Sequence, residues 1–173
     1  MLRQNYAEKY FPNKLDELPI NKNFINLILK CIQINTLQLL LIGDDEFSKS
    51  MVVTSIINSL NMKPYDKLFI SKLKDQGVTN IRYELKQFCQ TPSHLGKKIL
   101  IIDDIHMFSE NIQKLLINNI DKWQKNIHVI ITCNNMYNVD EGLVSRLFPI
   151  CVPPITMDAI KRILNNICIL EEI

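Results

Sequence analysis

Residues 37–50 read LQLLLIGDDEFSKS, and the fold turns on how they are read. The run 37–42 is almost wholly apolar, as expected of a short strand covered on both faces. It stops at Gly43. The segment MVVTSIINSL, after Ser50, continues as helix, predicted over 49–60. Strand, glycine-led loop, then Lys-Ser at a helix start is nearly the phosphate-binding pattern G-x-x-x-x-G-K-[ST]. Such a loop works because backbone N–H groups and a helix N-terminus face the phosphates. Two features disagree with it. Ser48 stands where the second glycine belongs, and Asp44, Asp45 and Glu46 fill the loop with negative charge.

Working outward, the same strand-then-helix alternation recurs. NKNFINLILKCIQ places Phe24, Ile25, Ile28, Leu29 and Ile32 at helical spacing. Strands are predicted at 67–71, 98–103, 127–133 and 148–152, and helices at 78–89, after Ser109 through Trp123, and at 156–170. On the Ser109 helix, Ile112, Leu115, Leu116, Ile120 and Trp123 share one face. Residues 1–20 read as an irregular arm, with Pro12 and Pro19 as breakers, and Pro153-Pro154 marks a boundary. Apolar strands that alternate with helices predict an α/β fold, a parallel sheet covered on both sides. In such sheets ligands sit at the carboxyl ends of the strands.

Composition sets the limits. The chain of 173 residues suits one domain, and 47% hydrophobic against 22% charged residues supports a packed core. A net charge of +2, with lysines spread along the chain, is too mild to argue nucleic-acid binding by itself. Cys31, Cys89, Cys133, Cys151 and Cys168 are dispersed without a C-x-x-C pair, and read as reduced thiols of an intracellular protein. No signal peptide and no run of about 20 apolar residues is legible, so no membrane is expected.

Three strands deliver polar residues to the same end of the sheet: GDDEFSKS, DDIH and NN. Lys49 is placed to reach the β/γ-phosphates of a nucleotide, and the Ser50 hydroxyl to sit on Mg2+. The metal also needs an acid at the end of a neighbouring strand. KILIIDD supplies Asp103 for that and Asp104 in the place of the water-activating acid. ITCNN adds Asn134, and VSRLFP places Arg146 before the last strand. Each signal alone has an ordinary reading: an acidic loop neutralised by Lys49, a strand meeting a turn, a turn asparagine, an exposed arginine at a helix end.

In combination these residues resemble the AAA+ ATPases, and more narrowly the small subunits of replication factor C, the clamp loader. AEKYFPNKLDEL is similar to the family's E-K-Y-R-P-x-x-L-D-E, LKDQGVTNIRYELKQF to its S-D-E-R-G-I-x-x-V-R-x-x-I-K-x-F, and KILIIDDIHMF to its Walker B strand with D-E-A-D. HVIITCNN resembles the sensor-1 strand and EGLVSRLFPI the segment E-P-I-Q-S-R-C. The resemblance runs over nearly the whole chain. It implies a three-layer P-loop fold with a five-stranded parallel sheet in the order 5-1-4-3-2. Residues 1–154 would form the nucleotide-binding domain, and 155–173 about one helix of a lid. It implies ATP and Mg2+ as ligands, with Gly43, Ser48, Lys49, Ser50, Tyr10 and Pro12 on the nucleotide and Ser50 and Asp103 on the metal. Asp104 and Asn134 would be catalytic, and Arg146 would act in trans on a neighbour's nucleotide. The implied partners are sister AAA+ subunits, a sliding clamp and primer–template DNA. The implied setting is intracellular: nucleus or viral replication site, or cytoplasm in a prokaryote.

The departures bear on activity. The family's P-P-G-T becomes DDEF, Ser48 replaces a glycine, Asp104 is one methylene shorter than the family's glutamate, and Phe11 and Gln76 replace arginines. A serine at positive φ costs about 1 kcal/mol. A carboxylate about 5 Å from a phosphate charge costs ~3 kcal/mol at an effective dielectric near 20. Two such carboxylates approach the roughly 8 kcal/mol of a micromolar site. The expectation is a clamp-loader-like subunit with weak or lost ATP hydrolysis. The alternatives are a working ATPase of the same class and an AAA+-derived structural module.

Overall fold

β-Branched and leucine side chains dominate the sheet segments, and a pleated surface covered on both sides suits them. The computed structural model describes residues 9–71, 77–93 and 96–171. The Gln76 position, residues 1–8 of the arm and residues 172–173 lie outside the described residues. The elements run α1 (Lys22–Gln33), β1 (Gln38–Ile42), α2 (Glu46–Ser59), β2 (Lys67–Ile70), α3 (Val78–Gln90) and β3 (Lys98–Ile102). They continue with α4 (Glu110–Trp123), β4 (Ile127–Cys133), α5 (Glu141–Val144), β5 (Phe148–Cys151) and α6 (Met157–Glu171).

The five strands form one parallel sheet in the order β2-β3-β4-β1-β5, which is the expected order. Alternate residues of the three central strands feed two cores. Leu40, Leu100, Ile102, Val129 and Ile131 pack with α3 and α4 through Leu85, Phe88, Leu116 and Ile120. Leu39, Leu41, Ile99, Ile101 and Ile130 pack with α1 and α2 through Ile28, Val52 and Ile56. β3 and β4 are buried along their whole length, which is why they read as unbroken apolar runs.

Several local expectations change. Leu29 lies on the exposed side of α1. Ser109 is the N-cap of α4 by position, but its hydroxyl makes no capping bond. The largest change is at α2, which starts at Glu46 rather than Lys49. Asp45 is its N-cap, with a side chain that accepts the Phe47 N–H at 3.0 Å. Ser48 therefore sits inside a helix. Positive φ occurs, among described non-glycine residues, only at Asn35, Asn61 and Asp104, so the strain expected at Ser48 is not there.

Candidate functional site

Parallel strands β1, β3 and β4 are neighbours, so their carboxyl ends deliver Gly43, Asp103-Asp104 and Asn134 to one place. Gly43 is needed for close approach: a Cβ there would meet the Val152 carbonyl oxygen at 3.3 Å. Lys49 reaches the same place from α2 and is only 1% exposed. Its ammonium donates to Asn134 Oδ1 and lies 3.6 Å from Asp104 Oδ1. The second contact is an ion pair rather than a hydrogen bond, and Asp104 Oδ1 accepts no hydrogen bond among the described residues. Burying the lysine charge costs several kcal/mol, which this carboxylate and amide offset.

Asp104 adopts left-handed backbone, φ 52 and ψ 54. That costs about 1 kcal/mol. The conformation is held by Thr132, a residue the sequence reading missed. Its hydroxyl accepts the Asp104 N–H at 2.9 Å and donates to Asp103 Oδ1 at 2.6 Å. The available signal was a lone hydroxyl in IHVIITC, one residue before the strand end, level with the two acids. Cys133, beside Lys49, has its thiol pushed up to about 11, burial outweighing the lysine charge, so it offers no thiolate nucleophile.

Asp103 keeps Oδ2 free of hydrogen bonds among the described residues, and Ser50 is exposed on the first turns of α2. By type, a carboxylate oxygen and a hydroxyl are ligands that Mg2+ takes beside phosphates and waters. The phosphate loop fits less well. Phe47 N–H and the Ser48 hydroxyl, the kind of donors a phosphate needs, are both bonded to Asp45.

Tyr10 and Pro12 are tied to α6 and α2. The Tyr10 hydroxyl donates to Glu171 at 2.6 Å, and the Pro12 carbonyl accepts from Ser55 at 3.4 Å. Arg146 is exposed just after α5, forked onto Asp121 at 2.5 and 2.8 Å, with a third bond to the Gly142 carbonyl at 2.9 Å. These hydrogen bonds hold the Asp121 carboxyl below its ordinary range.

A second feature corrects the reading that the basic residues are scattered. Folding brings Arg82 and Lys86 of α3 and Lys114 and Lys122 of α4 to the walls of one groove of about 400 Å3. Lys114 has a carboxylate partner there, Glu110 at 3.4 Å.

Comparison with known proteins places the chain. Residues 39–153 match the profile of the family described as "ATPase family associated with various cellular activities (AAA)". Replication factor C subunit 3 of Saccharomyces cerevisiae is 24% identical, over 97% of this chain and 51% of that protein. A putative replication factor C small subunit of Acanthamoeba polyphaga mimivirus is 26% identical, over 97% and 54%. The chain thus spans about half the length of the curated relatives it matches. A solved RuvB variant of Thermotoga maritima superposes with a TM-score of 0.72 at 16% identity, over 95% of this chain and 55% of that one, a likeness of fold. The resemblance to AAA+ proteins of the replication factor C small-subunit type and the expected sheet order both stand, and the chain belongs to the AAA family of ATPases.

Proposed function

We propose that the chain is a clamp-loader-like AAA+ subunit that acts in DNA replication through sister subunits and a sliding clamp, with a weak nucleotide site of its own. One observation carries the reading: Lys49 is bonded inward to Asn134 and Asp104, while Arg146 stands exposed at the surface. The weak site would hold ATP against Lys49, and Mg2+ between Ser50 and Asp103. Asp104 would polarise the attacking water and Asn134 would orient it. Arg146 would serve a neighbour's phosphates, a contribution that can reach ~10³-fold in turnover. Tyr10 and Pro12 would flank the nucleotide from the opening segment. In this reading α6 is the first helix of a lid, and the setting is intracellular.

The active-ATPase reading has its own support, since Lys49, Asp104 and Asn134 share one cleft, with Asp103 bonded to it through Thr132. Titration with Mg·ATP separates the two. The expected result is a Kd weaker than about 100 μM, or roughly −5.5 kcal/mol, without turnover. Low-micromolar binding with steady hydrolysis would favour the active enzyme. Arg146→Ala tests the trans role: it should leave the chain folded and lower ATP hydrolysis by an adjacent active subunit. Unchanged hydrolysis in the assembly would remove that role. Failure to associate with any replication factor C-type subunit or sliding clamp would favour the structural module.

A further inference from the structure

We infer that Asp45 is an internal anion that fills the phosphate loop of its own chain and holds it shut. The inference rests on reading residues 43–50 as a nucleotide loop, and it names what closes that loop. Both carboxylate oxygens are engaged: Oδ1 accepts Phe47 N–H at 3.0 Å, and Oδ2 accepts the Ser48 hydroxyl. A backbone N–H at a helix start and a neighbouring hydroxyl are the donors such a loop offers a phosphate. With these taken, α2 winds from Glu46, and Lys49 N–H is spent on the Asp45 carbonyl at 3.3 Å.

A second contact holds the same turn from outside. The Phe47 ring meets the Phe11 ring edge-on, with centroids 6.0 Å apart and planes at 83°. Phe11 stands where the resembling family has arginine, and Phe47 where its loop has threonine. Two departures that look unrelated in sequence therefore touch each other. Meanwhile the Lys49 ammonium, which would face the incoming phosphates, is neutralised within the cleft by Asp104. Asp44, Asp45 and Glu46 are all exposed, but among the described residues only Asp45 accepts these two hydrogen bonds. One acid of the three does the closing.

The test is Mg·ATP titration of the whole chain carrying Asp45→Asn, Asp45→Gly or Asp44→Asn, beside the parent. Asparagine keeps a capping oxygen and loses the charge, so Asp45→Asn should stay folded. Asp45→Ser is the substitute if a thermal melt shows otherwise. Asp45→Asn should bind at least fivefold tighter than the parent, and at least tenfold tighter with Phe11→Ala added. Asp44→Asn should change binding less than twofold. Adding Lys49→Ala to Asp45→Asn should abolish the gain, which places the ligand in the loop. If folded Asp45→Asn and Asp45→Gly bind no better than Asp44→Asn, the internal anion is wrong, and the weak-site reading survives. If the parent itself binds at low micromolar concentration, both fall.

Discussion

Lys49 and Asp104 are unequal partners. The lysine side chain is 2% exposed and the aspartate 28%. Removing the carboxylate strands a buried ammonium, whereas removing the ammonium leaves a carboxylate that water still reaches. Asp104→Ala should therefore destabilise the fold by about 2–4 kcal/mol and Lys49→Met by less, with the double variant recovering part of the loss. Urea unfolding of the three chains decides it. Equal losses that simply add would show that the 3.6 Å pair is uncoupled. The asymmetry also bears on function. A ligand that draws Lys49 outward must compensate Asp104 as well, and a Mg2+ held by Asp103 would supply that charge.

Elements were more legible than the way they begin. The unbroken apolar run of β4 announced a strand buried on both faces, and it was found over Ile127–Cys133 as expected. What periodicity does not register is a polar residue the core accepts. Lys98 opens β3 and is buried, donating to the Phe88 carbonyl at 2.9 Å and to Thr91, so it caps the C-terminus of α3. His128 sits within β4 with its Nδ1 unpartnered among the described residues, and burial pushes its pKa down to about 4. The folded state thus keeps this imidazole neutral while the unfolded chain protonates it below about 6.5. Its contribution to stability is full above pH 6.5 and is lost as pH falls toward 4. Thermal melts should show the midpoint falling by several degrees across that window, and less steeply in His128→Leu. The start of α2 was missed for a related reason. Its cap, Asp45, reads in sequence as a charge opposed to phosphate, although aspartate is also among the best N-caps. That Lys49, Asp104 and Asn134 would meet was legible, because parallel strands bring their carboxyl ends, and the helix that follows β1, to one place. Thr132 was not, because its two hydrogen bonds exist only once β3 and β4 are side by side.

At the scale of the molecule, charge that looks dispersed along the chain becomes a surface feature. Arg82 and Lys86 lie one helical turn apart on α3, and Lys114 and Lys122 lie two turns apart on α4. Packing α3 against α4 puts all four on one groove, although the net charge is only +2. If DNA lies on this groove, each phosphate neutralised there contributes about 0.9 to the slope of log K against log salt. Three or four contacts predict a slope of about −3 and, for the chain alone, binding weaker than about 10 μM at physiological salt. Arg82→Ala and Lys86→Ala should each reduce the slope by about 1 and weaken binding to every duplex alike. Lys22→Ala on α1, across the sheet, should leave it unchanged. Fluorescence anisotropy over a salt series measures both quantities. Sub-micromolar binding by the chain alone would mean that contacts beyond this groove exist. A slope that ignores Arg82 and Lys86 would place the DNA on another face.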